Sequence, residues 1–162
     1  MKITLKYFFI LLMAAPLFTA CVEDDTPDIG EEGSKLDGIN ATWRLVEVNQ
    51  QDDVSFTLET RNISDFLLAD GNAPQITFNS ADKTYSVDAK GKLNFWGTEG
   101  SWTFDDDVAP TNITLSPTGE SDILVNLTAT IRPVDKFLQI EFSRDCGGTS
   151  IITYLYKYER AN

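Results

Sequence analysis

Ile76-Thr77-Phe78-Asn79-Ser80-Ala81-Asp82-Lys83-Thr84-Tyr85-Ser86-Val87-Asp88 is the stretch that decides the fold. Ile76 and Phe78 alternate with Thr77 and Asn79, and Tyr85 and Val87 alternate with Thr84, Ser86 and Asp88. Successive side chains of a strand point to opposite faces, so a period of two predicts two half-buried strands. Asn79-Ser80-Ala81-Asp82 between them is a cluster of turn residues, which makes the pair a hairpin. The same pattern continues outward. Trp102 and Phe104 alternate with Ser101, Thr103 and Asp105, and Ile113 and Leu115 follow. Then come Ile123, Val125, Leu127, Ala129 and Ile131, and Leu138, Ile140 and Phe142 alternating with Gln139, Glu141 and Ser143. Leu93 and Phe95 read as a further strand leading to a turn at Gly97. The last run, Ile151 to Tyr158, places Tyr154, Tyr156 and Tyr158 on one face and Leu155 on the other.

Turn clusters at Ala89-Lys90-Gly91, Asp105-Asp106-Asp107, Ser116-Pro117-Thr118-Gly119 and Cys146-Gly147-Gly148 punctuate these runs. Short alternating strands at this spacing predict an all-β, antiparallel protein of about eight to nine strands. A meander of that size exposes two sheet edges unless it closes on itself, so an up-and-down β-barrel is preferred to an open sandwich. One segment departs from the pattern. In Arg61-Asn62-Ile63-Ser64-Asp65-Phe66-Leu67 the apolar positions 63, 66 and 67 fit one helical face with Asn62 as a cap, which predicts one short helical turn over the end of the sheet.

The chain opens with Lys2 and Lys6, an uncharged apolar run from Tyr7 to Ala15, a break at Pro16 and then Leu17-Phe18-Thr19-Ala20-Cys21. A basic start, a short apolar core and small residues before a cut are the parts of a secretory signal, and the run is too short to span a bilayer. Leu17-Phe18-Thr19-Ala20-Cys21 resembles the lipobox of bacterial lipoproteins, with Phe18 where that pattern usually has leucine. The resemblance implies a signal peptide over 1–20 and diacylglyceryl and acyl chains on Cys21. At roughly 0.8 kcal/mol per buried CH₂, two or three chains anchor a protein to a membrane effectively permanently.

From Val22 to Gly38 the composition shifts: Glu23, Asp24, Asp25, Asp28, Glu31, Glu32 and Asp37 face only Lys35, with Pro27, Gly30, Gly33 and Gly38 among them. Such a segment buries little, so residues 21–38 read as a lipidated cysteine and acidic tether, and 39–162 as the barrel domain. The acidic run also resembles the signal that sends lipoproteins of Bacteroidetes to the cell surface; the alternative is a solvated spacer carrying no address. The expected location is the outer membrane, on its periplasmic or its cell-surface face.

Composition excludes several functions. The chain has 25 acids and 13 bases, a net charge of −12, and loss of Lys2 and Lys6 with the leader takes this to −14. That surface repels phosphate backbones, so no nucleic-acid partner is expected. Histidine is absent, which removes Ser-His-Asp and Cys-His catalysis and the commonest metal ligand together. With Cys21 lipidated, Cys146 has no partner for a disulfide and reads as an incidental thiol beside Arg144 and Asp145. Asp105-Asp106-Asp107 reads as a solvated turn, because successive residues do not converge their oxygens as a calcium loop does. Asn-x-Ser/Thr matches at Asn40, Asn62, Asn112 and Asn126 are chance in a bacterial lipoprotein. No carboxylate pair is marked for glycoside hydrolysis, no cofactor or metal is implied, and an enzyme is not expected.

Beyond its leader, the chain resembles the lipocalin-like lipoproteins of Bacteroidetes. The resemblance covers about residues 39 to 158. It rests on Ala41-Thr42-Trp43-Arg44-Leu45, on Ile76-Thr77-Phe78-Asn79 with Lys83-Thr84-Tyr85-Ser86, and on Gly100-Ser101-Trp102-Thr103-Phe104-Asp105-Asp106. Trp43 matches the tryptophan of the lipocalin Gly-x-Trp motif, with Ala41 where glycine stands. The resemblance implies a small antiparallel barrel with no agreed ligand and no catalytic residue. The candidate ligand-binding residues are Trp43, Phe78, Tyr85, Phe95, Trp102, Tyr154, Tyr156 and Tyr158. The first five, with Phe104, either fill the core or line a pocket. The three tyrosines either form a stacking platform for sugar rings or pack in the barrel wall, and Trp96 either joins that platform or folds back as a staple. A small apolar ligand or glycan, or else an envelope-protein partner with no small ligand, is expected.

Overall fold

A computed structural model describes residues 33–57 and 59–161. The expected signal peptide, Cys21 and the expected tether as far as residue 32 lie outside the described residues. The chain runs α1 (Lys35–Ile39), β1 (Ala41–Asp52), β2 (Thr60–Asn62), α2 (Ser64–Leu68), β3 (Gln75–Asn79), β4 (Thr84–Asp88), β5 (Glu99–Phe104), β6 (Asn112–Pro117), β7 (Ile123–Leu127), β8 (Phe137–Cys146) and β9 (Thr149–Arg160).

Every pairing is antiparallel, and β3 to β9 are neighbours in sequence order. Closure comes from β9 returning to β1, in a ladder from Trp43↔Arg160 to Asp52↔Ile152. Eight strands therefore form a closed barrel, and β2 is an extra strand paired to the far half of β1 through Asn49↔Asn62 and Gln51↔Thr60. The parity of β1 changes along its length. Trp43 and Leu45 point inward, the register shifts between Leu45 and Glu47, and Val48 is the next buried residue. This bulge keeps the apolar side chains of a twelve-residue strand on the core face.

The end where β1 begins is sealed. Trp43 is completely buried; its Nε1 donates to the carbonyl of Ile39 at 2.9 Å, and the Arg160 guanidinium lies 4.7 Å above its ring. Arg160 Nη2 also donates to the carbonyl of Gly38 at 2.6 Å, so one side chain ties α1, β1 and β9 together. Ser34 begins α1 by accepting from the amide of Asp37. The tether was expected to run to Gly38, but Lys35–Ile39 is helical and Ile39 belongs to the core.

Two further departures have local causes. Leu93 and Phe95 do not form a strand, because Lys90 and Gly91 take positive φ (51° and 74°) and the Asn94 side chain binds the loop backbone in place of a neighbouring strand. The run expected to reach Ile131 stops at Leu127; the chain then crosses the sealed end, where Ile131 packs beside Gly38. The helical turn stands where the pattern places it, but its N-cap is Ile63 with no side-chain cap bond; Asn62, the expected cap, lies one residue earlier and accepts only from the amide of Ser64, at 2.9 Å. Phe66, however, points outward at 84% exposure.

Gly100 points into the barrel opposite Tyr85 and Pro117, and a Cβ there would lie 2.1 Å from the carbonyl oxygen of Ser116. Backbone cannot yield cheaply, so Gly100→Ala is expected to cost about 2 kcal/mol or more, as overpacking in a closed core does. Urea denaturation would read this as a lower midpoint with unchanged slope.

Candidate functional site at the open end of the barrel

Most of the aromatic candidates are core. Trp43, Trp102, Phe78, Tyr85 and Tyr158 are buried, and Phe78 meets Trp102 edge-on at 5.7 Å between ring centroids. Trp102 Nε1 donates to the carbonyl of Thr84 at 3.0 Å, so its one polar atom is satisfied internally. The void beside them, between Leu45, Trp96, Tyr156 and Tyr158, is about 20 Å³. That is room for about one water, not a ligand.

Trp96 is the reason. It folds back into the barrel at 4% exposure, with Nε1 donating to the Tyr158 hydroxyl at 3.1 Å. Its ring meets Phe142 and Tyr156 edge-on at 5.3 and 5.1 Å. The Tyr85 hydroxyl donates to the Trp96 carbonyl at 2.5 Å, which fixes the loop from below. Gly97 follows with φ of 72°, a reversal that a residue with a Cβ would resist.

Phe95 and Tyr154 are the candidates left only partly buried, and they meet at the open end with centroids 5.6 Å apart. The strand lengths explain the setting. β8, β9 and β1 have ten to twelve residues against five or six in β3 to β7, so they rise beyond the rim as a wall. One row crosses the inner face of that wall and β2: Phe142↔Tyr154↔Gln50↔Arg61. Arg61 Nε donates to Gln50 Oε1 at 2.7 Å, and Gln50 Nε2 donates to the Tyr154 hydroxyl at 3.2 Å. Between this row, α2 and the β4–β5 loop lies a groove of about 470 Å³, floored by Phe95, Tyr154 and Tyr156 and rimmed by Phe66 and Leu93. Phe66 and Leu93 are 84% and 68% exposed. Lys92 pairs with Asp70 at 2.6 Å, strapping the loop to the segment after α2 and holding the Asp70 carboxyl below its ordinary value.

A neighbouring depression of about 450 Å³ shares Gln50 and Arg61 and runs along Asp52, Glu59 and Ile152. A third hollow of about 730 Å³ lies on the outer face of β3 to β6, lined largely by serine and threonine. Neither has the aromatic floor of the groove. Gln50 and Arg61 carry no motif, so only the pairing of β2 with β1 reveals them.

Among the described residues no group of His, Cys, Asp or Glu is placed to hold a metal ion. Asp105 accepts from Thr111 through backbone and hydroxyl, and from Asn112 through backbone and side chain. These bonds, the Thr111 hydroxyl first, hold its carboxyl far below the usual 3.8. Asp106 binds the amides of Val108 and Ala109, and Asp107 pairs with Lys83. The three aspartates thus build the β5–β6 turn.

A scan against protein-family models finds no match, and a search of curated proteins finds none either. Fold and groove define the class: a closed eight-stranded antiparallel barrel, filled inside, with an aromatic groove at its mouth.

Burial raises the pKa of Tyr156, Tyr158 and Tyr85, the last from 10.0 to about 12 with the Glu120 charge adding to the effect. A raised pKa leaves stability full below pH 10 and removes it as pH climbs toward 12, because unfolded tyrosines ionise first. Melting temperature is therefore expected to fall steeply above pH ~10, and Tyr85→Phe should flatten that fall. Tyr158→Phe removes the acceptor of the buried Trp96 N–H and is expected to cost about 1–3 kcal/mol at neutral pH by chemical denaturation. At the acid end the sign reverses. Asp105 contributes above its ordinary value of 3.8 and is lost as pH falls, so Asp105→Ala should lower the melting temperature at neutral pH and leave a shallower acid limb.

Proposed function

We propose that this chain is a lipid-anchored protein of the bacterial envelope, with a lipocalin-like barrel that binds a small apolar molecule or a glycan at its open mouth. It is read as a binding protein rather than an enzyme. The observation that carries the reading is the groove itself: partly buried Phe95 and Tyr154 beside the hydrogen-bonded Gln50 and Arg61, with exposed Phe66 and Leu93 at the rim. Ligand sites combine an apolar floor with a few oriented polar groups, and this groove has both. Because Trp96 fills the barrel, the ligand lies on the mouth and not within.

A second reading has its own support. Val54 and Phe56 on the β1–β2 loop are largely or fully exposed, and the outer edge of β2 pairs with no strand among the described residues, which suits docking onto another envelope protein.

Thermal melting of the purified chain with a lipid and glycan panel separates the two. A ligand at a hundred times its Kd adds about 2.7 kcal/mol, a shift of several degrees. Phe95→Ala and Tyr154→Ala should abolish that shift while leaving the unliganded protein folded. No shift with any compound would turn the assignment to the docking reading. The anchor is tested separately: Cys21→Ser is expected to release the chain from the membrane fraction, and mass spectrometry of the unaltered protein should find acyl chains on Cys21.

A further inference from the structure

We infer that the ligand of the groove is an acidic oligosaccharide, its sugar rings lying on Phe95 and Tyr154 and its carboxylates engaging Arg61 and Arg144; this rests on the binding reading above. The argument starts from charge pairing. Arg44, Lys83, Lys90, Lys92, Arg132 and Lys157 each hold a carboxylate, and Arg160 is used at the sealed end. Arg61, Lys136 and Arg144 pair with no carboxylate among the described residues, in a chain with 25 acids. Lys136 lies just before β8 at the sealed end, whereas Arg61 lines the groove and Arg144 borders it through Phe95. Arg61 ends the row Phe142↔Tyr154↔Gln50↔Arg61, and Arg144 is one inward step beyond Phe142 with its guanidinium 5.9 Å from the Phe95 ring.

Their separation specifies the ligand further. β8 and β2 are three strand spacings apart, about 14 Å between their backbones at roughly 4.8 Å each, a span that a single carboxylate group cannot cover. An extended chain of rings bearing several carboxylates can. Guanidinium forks match carboxylates bidentately, aromatic faces take sugar rings, and the Gln50 amide stands between as a hydroxyl partner. Asp52 and Glu59 line the neighbouring depression, but Asp52 Oδ1 is committed to the amides of Val54 and Ser55.

Calorimetric titration of the full chain with trigalacturonate, its fully methyl-esterified trimer and the galacturonate monomer tests this. The acid trimer is expected to bind about tenfold more tightly than the ester, which is what one charge-assisted pair supplies. Arg61→Met and Arg144→Met should each remove most of that preference, Arg61→Lys and Arg144→Lys should restore part of it, and raised salt should shrink it. Melting curves of the Met variants matching the unaltered protein exclude misfolding; if a Met variant does not fold, the Lys variant of that position carries the test. Equal affinity for acid and ester overturns the inference and leaves the binding reading standing. So does a monomer that binds as tightly as the trimer. No binding by either trimer overturns the inference, and if the lipid and glycan panel also gives no thermal shift the binding reading falls with it.

Discussion

The ladder between β9 and β1 is the interaction on which the rest of the molecule depends. A sheet built by strands that follow one another in sequence leaves its first and last strands unpaired, and no disulfide among the described residues holds them. Pairing Trp43 with Arg160 at one end and Asp52 with Ile152 at the other turns those two edges into one seam. The same seam brings Arg160 over Trp43, so closure of the sheet and sealing of one end are a single event. It is also the pairing that spans most of the described chain, whereas every pairing among β3 to β9 forms between neighbours in sequence.

Closure fixes the core but not the mouth. The mouth follows from a mismatch: long strands β8, β9 and β1 continue where the short ones stop, and their inner faces would stand exposed. Two insertions cover them. The β4–β5 loop drops Trp96 into the barrel and lays Phe95 on the wall, while β2 and α2 widen it on the β1 side. The cover is partial, and the uncovered remainder is the groove. Rigid strands thus set the position of Tyr154 and Gln50, and loops supply the other side of the site, the usual division between scaffold and recognition in barrel proteins.

The period of two was enough for the hairpin at Ile76–Val87, for β5, β6 and β8, and for the tyrosine strand, because these strands are half-buried and alternate cleanly. It failed at Leu93–Phe95, where alternation survives by chance over a loop tied by Asn94 and two positive-φ residues. The tyrosine face was legible as a face, but its gradient from partly buried Tyr154 to buried Tyr158 depends on how far β9 rises above the rim. Which aromatic residues were core also depended on Trp96: a side chain next to a turn glycine carries no mark that it will plug a barrel. Gln50 and Arg61 were invisible for a different reason. Their importance comes from cross-strand registry, and registry between β1 and β2 is a property of three dimensions.

Charge ties the mouth to the proposed place of the protein in the cell. A chain of net charge −12 carries a net negative field, which opposes approach to anionic headgroups and to acidic polymers at long range. At physiological ionic strength that field decays over about 8 Å, so what an approaching ligand meets at contact is set by local groups. At the mouth those groups are Arg61 and Arg144 beside aromatic rings, with Lys92 held to Asp70. An anion without a flat body would feel the repulsion and gain only one exposed ion pair, worth little in water. A neutral ring would gain stacking alone. On the proposed reading, a ligand that combines both recovers enough at contact to overcome the field, and the acidic surface then contributes to selectivity as well as to solubility.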